Sequence, residues 1–129
     1  MVHPGKDGDA SPFHGGDQTV HRLGHTGLGL FARVNHGAGA QSIGEDVGAS
    51  ELLIFGNPKV GTPAILDDRA AGLFLPLKVL VFEDVTGMTV IAYEDPKAML
   101  GKLGGVSERA PYLTVMSGAL AKFTDSVSK

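Results

Sequence analysis

A lysine inside an apolar strand is the residue best placed to do chemistry in this chain. Lys78 stands in LPLKVLVF, on the same side of the strand as Leu80 and Phe82. An ammonium there must reach water, pair with a carboxylate, or work. As a worker it would anchor an anion or, with a depressed pKa, act as a nucleophilic amine. As a bystander it would reach solvent or pair with Glu51, Glu83 or Glu94. His36 is the second candidate. It ends a strand and could serve as a general base or as a hydrogen-bonding wall of a pocket. Its plainer role is to cap the segment that follows. His21 and His25 are four apart on a candidate helix, a spacing that lets two imidazoles share a face and hold a metal. Gly24 weakens that helix, and no carboxylate or thiolate stands at a matching spacing, so both also read as solvated side chains. Glu94 and Asp95 could form an acid/base pair, although Asp95 before Pro96 already reads as a helix cap.

The segment Gly56-Asn-Pro-Lys-Val-Gly61-Thr62 follows a strand and precedes a helix, which is the setting of a phosphate loop. The lysine that should precede the hydroxyl residue is missing, and Pro58 and Pro63 remove backbone donors. A rigid strand-to-helix turn is the simpler reading. A weaker anion site survives it: Thr62 followed by Pro63 looks like a helix start, whose backbone donors would hold a carboxylate or phosphate.

Composition narrows the function classes. At 129 residues the chain is long enough for one packed core. The net charge of -3 and the lack of a basic patch argue against nucleic acid. No apolar run approaches the ~20 residues of a membrane span. The first residues, MVHPGKDGDA, have no apolar run of the signal-peptide kind, and cytoplasm is the expected compartment. With no cysteine there is no thiol nucleophile or disulfide. No cofactor is expected.

The elements that must position these residues follow from periodicity. Residues 1–16 hold Gly, Asp, His and Pro around one Phe13, and read as a flexible polar lead. Residues 17–129 read as a single α+β domain. Asp17 caps a short helix in DQTVHRL. Leu28 to Asn35 alternates as a strand, with Leu28, Leu30, Ala32 and Val34 facing one way and Phe31, Arg33 and Asn35 the other. HGAGAQSIGED reads as a loose helix with Ile43 and Val47 inward. Glu51–Phe55 is apolar on both faces and belongs in the centre of a sheet. A helix runs from Thr62 to near Gly72. Leu77–Glu83 and Met88–Tyr93 form a hairpin closed by Asp84-Val85-Thr86-Gly87. Asp95-Pro96 starts a helix burying Met99, Leu100 and Leu103. Pro111 opens the last helix, with Leu113, Met116, Leu120, Phe123 and Val127 on one stripe.

The segments LFARVNH (30–36), ELLIFGNPKVGTP (51–63) and LPLKVLVFED (75–84), with Tyr93 and Asp95-Pro96 after the hairpin, resemble the family catalogued as domain of unknown function 302. The likeness covers about residues 17–103. It implies a fold similar to the TATA-box-binding-protein-like class, strand, helix, four strands and helix, with an antiparallel sheet curved around helices. It also implies a homodimer, and no established activity. Residues 1–12 do not read as the apolar opening strand of such proteins, and a sheet lacking that strand would expose ladder groups for a second subunit to cover.

Three functions are compatible with these residues. The first is a homodimeric module binding a small molecule, with or without an anionic group. Phe31, Phe55, Phe82 and Tyr93 would line its site, with His36, Asn57, Thr62 and Lys78 as polar contacts. The second is an enzyme using His36 or Lys78 as base or nucleophile. The third is a structural dimer without a ligand.

Overall fold

The structure is a computed structural model and describes residues 2–4 and 29–128. The candidate metal pair His21 and His25, the helix read in DQTVHRL and most of the polar lead lie outside the described residues.

Among the described residues, five antiparallel strands form one sheet. They are β1 (Val2–Pro4), β2 (Gly29–Asn35), β3 (Ser50–Gly56), β4 (Leu77–Glu83) and β5 (Thr89–Ala92), in the order β1-β5-β4-β3-β2. The helices are α1 (His36–Ser42), α2 (Pro58–Asp67), α3 (Pro96–Leu100) and α4 (Pro111–Ser128), with a 3-10 turn at Arg69–Leu73. One expectation is corrected at the start of the chain: Val2, His3 and Pro4 pair with Ala92, Ile91 and Val90. The opening strand of the resembled family is therefore present, although its sequence is not an apolar run. Three residues suffice because β5 supplies the ladder and the strand only has to complete an edge.

The central strands show why one face is core. In β3, Glu51, Leu53 and Phe55 are buried while Leu52, Ile54 and Gly56 are half-buried. In β4 the buried set is Leu77, Val79 and Val81, with Lys78, Leu80 and Phe82 on the other face. That period of two is the strand pattern of a sheet packed on one side. The packing partner is α4, whose Leu113, Met116, Leu120 and Phe123 are at most 1% exposed. Phe123 meets Phe55 with ring centroids 5.9 Å apart and planes tilted by 52°. From α3, Met99 and Leu100 close the same core, while Leu103 is half-buried at its margin.

The hairpin is as its sequence reads. Gly87 takes φ +85, the conformation for which glycine is suited. The Asp84 carboxylate accepts from the Thr86 hydroxyl and from the backbone N–H of Thr86 and Met88. These bonds, that from the Thr86 side chain first, hold the Asp84 pKa below the ordinary aspartate value.

Two elements depart from their pattern. In β2 the register slips between Leu30, opposite Phe55, and Ala32, opposite Ile54. Phe31 is the extra residue of a bulge. The bulge splits the apolar set: Leu30 packs on the core, while Ala32 and Val34 share the open face with Ile54 and Leu52. After β2, α1 ends at Ser42, and Ile43 and Val47 are 77% and 57% exposed rather than inward. Gly44 and Gly48 both take positive φ there, so the chain leaves the helix before either apolar side chain can turn to the core.

Candidate functional site

The strand-to-helix connection after β3 decides what sort of site this chain can build. Two cap-plus-proline signals compete there, Asn57-Pro58 and Thr62-Pro63. The first wins. Asn57 is extended, at φ -147 and ψ 128, and its side chain accepts from the N–H of Lys59 at 2.9 Å. Pro58 is the first helical residue and Pro63 lies inside α2. Thr62 is therefore not a cap, and the helix start expected there is corrected by five residues. The new start is also self-satisfied. Pro58 has no N–H, Lys59 N–H goes to the Asn57 side chain, and Val60 and Gly61 N–H both go to the Asn57 carbonyl, at 2.8 and 3.0 Å. No donor among these is left to cradle an anion.

Beside this turn lies a half-open cavity of about 220 Å³. One wall is the bulged Phe31 with Gly56 at the end of β3. A second is α2, through Val60, Gly61, Thr62 and Ile65. The cis-linked Leu75 and Pro76, with Leu77, form a third, and Met116 of α4 is the floor. Among the described residues, Asn57 and Thr62 contribute the only polar side chains of the lining, and no ionisable side chain takes part. Two glycines make the room. A Cβ on Gly56 would meet the Phe31 ring at 3.3 Å, and one on Gly61 would meet Leu75 at 3.6 Å.

Of the residues singled out by sequence, the cavity gathers Phe31, Asn57 and Thr62. Phe55 is fully buried in the core. Phe82 is half-buried on the open face of the sheet, and Tyr93 half-buried at the core margin. His36 opens α1 and is exposed. Its capping role belongs instead to Asn35, whose side chain accepts from the N–H of Ala38 at 2.9 Å. Lys78 is exposed, with its Nζ 3.5 Å from the Phe74 carbonyl. It stands opposite Ile54, which pairs with Ala32, four residues before His36. At strand spacings the two backbones are thus ~15 Å apart. Asp95 starts α3 without a side-chain cap bond.

Glu51, weighed above as a partner for Lys78, faces the other side of the sheet. It is 5% exposed and accepts a hydrogen bond from Arg33 Nε. A buried carboxylate needs such a partner, and its neighbour across β2 provides it. The sequence reading missed this pair, and also Gly61, Ile65, Leu75 and Met116. Gly61 carried the readable signal: a glycine inside a helix invites the question of what approaches it. Among the described residues, no three His, Asp or Glu side chains cluster so as to hold a metal ion. No helix among them is long and apolar enough to cross a membrane.

The antiparallel sheet, edged by β1 and packed on α4, defines an α+β class of domain. The chain belongs to the family described as Domain of unknown function DUF302, whose model matches residues 17–125. A crystal structure of an uncharacterized conserved DUF302 protein from Bacillus stearothermophilus superposes with a TM-score of 0.80. It is 18% identical, over 98% of this chain and 96% of that one, a likeness of fold. Two curated relatives are also similar, both called Fluoride-specific ion channel FluC 1, from Brucella suis biovar 1 (strain 1330) and Brucella abortus biovar 1 (strain 9-941). Each is 44% identical over 70 residues, which is 54% of this chain but 28% and 26% of those proteins. The chain thus matches about a quarter of the length of these relatives.

Proposed function

We propose that this domain binds a small molecule in the cavity between Phe31, α2, Leu75 and Met116. The supporting observation is a preformed apolar recess walled by two glycines and floored by core. The described lining of the cavity includes neither His36 nor Lys78, which supports binding there rather than base or nucleophile chemistry by those residues. The channel activity named for the two relatives is not carried over, because most of each protein lies outside the match.

Xenon, which enters apolar cavities, tests this reading without presuming a ligand. Crystals of the protein under xenon pressure are expected to show an atom between Phe31, Gly61 and Met116. An empty cavity under pressure would remove the proposal.

A second reading concerns assembly. The sheet face turned away from α4 carries Val34, Leu52, Ile54, Leu80, Phe82 and Val90, half-buried or exposed. We infer that a second copy covers this face, consistent with a homodimer.

A further inference from the structure

We propose that the cavity selects an uncharged ligand carrying a single aromatic ring, and rejects its carboxylate analogues. This rests on the binding reading above and adds the chemical class.

Size comes first. An apolar cavity of ~150 Å³ holds benzene, so about 220 Å³ takes one ring with a short substituent. Charge comes second. A carboxylate entering the recess would lose its hydration and needs donors in exchange. Among the described residues, the lining offers no Lys, Arg or His. The N–H groups of Lys59, Val60 and Gly61, the natural anion cradle of a helix start, are all spent on Asn57. A neutral ring meets no such penalty. Phe31, 56% exposed, is an aromatic wall of the recess, and the buried Met116 lies beneath it. Thr62, exposed beside the cavity, brings a hydroxyl that a neutral alcohol substituent can reach.

Gly61 ties the class to the place. It lies inside α2, where alanine would favour the helix. A Cβ there would make an ordinary contact with Leu75 at 3.6 Å, so alanine fits and narrows the cavity.

The test is an amide NMR titration of the full chain at pH 7 with benzyl alcohol and with benzoate. Benzyl alcohol is expected to shift Gly56, Gly61 and Thr62 saturably, and benzoate to bind at least tenfold more weakly. Gly61→Ala is expected to remain folded and weaken benzyl alcohol at least threefold. Benzoate binding as tightly as the alcohol at these residues would overturn the ligand class and leave the pocket standing. No shift from either compound, or shifts elsewhere only, would overturn the pocket itself. Unchanged affinity in Gly61→Ala would overturn the placement of the ring against α2.

Discussion

Tyr112 shows how one side chain can report on the packing of two helices. Its hydroxyl donates to Asp67 Oδ2 at 2.7 Å, joining the first turn of α4 to the last residue of α2. Partial burial, then this hydrogen bond and the negative charge of Asp67, push its pKa up to about 12. The folded state therefore holds the phenolic proton more tightly than the unfolded chain, whose tyrosine ionises near 10.0. The stability this contributes is complete below pH 10 and is lost as pH rises through about 12. The difference in unfolding free energy between wild type and Tyr112→Phe is expected to shrink across that window and stay constant below it. The difference in absorbance titration between wild type and Tyr112→Phe should find Tyr112 ionising late. If Tyr112 ionises near 10.0, the Asp67 contact does not persist in solution. Nothing in the spacing of residues 67 and 112 foretells this pair, because it depends on how α2 and α4 cross. The exposure of Lys78, by contrast, was open to reading, since the alternation of β4 assigns it to the face opposite Val79.

At the scale of elements, α2 is held from its far end by the turn before α4. Asp68 breaks the helix at φ -149 and ψ 115, and its carboxylate accepts from the N–H of Ala70 and of Gly105. Gly105 sits so close that a Cβ there would lie 2.3 Å from the Asp67 carbonyl oxygen, whereas Gly104 has nothing within 4 Å. Gly105→Ala should therefore destabilise the domain by about 1–3 kcal/mol, as for other overpacked sites. Gly104→Ala serves as the control and should change little. Urea unfolding of the two variants makes the comparison, and equal midpoints would refute the close approach. The central strands, the Asp84–Gly87 turn and the α4 stripe were legible because each obeys one local rule. The bulge at Phe31 was not, because register is set by β3 rather than by β2 itself. The choice between Asn57-Pro58 and Thr62-Pro63 was not legible either. Both satisfy the same cap rule, so local sequence does not choose between them.

For the whole molecule, two edges and one open face remain. β1 and β2 end the sheet, and the face carrying Val34 and Phe82 has no described helix over it. Apolar surface of that kind favours association. Sedimentation equilibrium at micromolar concentration is expected to give twice the chain mass of 13.4 kDa. Val34→Lys should shift the equilibrium toward monomer, and a wild-type monomer would end the dimer reading. The cavity was the least legible feature of all, because it is made by what is missing, two glycines and the space between elements distant in sequence. The placement of β1 carries a last consequence, for the order of events at the ribosome. Val2 leaves the exit tunnel before its partner Ala92, which is made about ninety residues later. The β2–β4 meander can pair while synthesis continues, but the opening strand has nothing to dock on until the hairpin of β4 and β5 has emerged. The first of the described strands to be made is thus among the last to be secured.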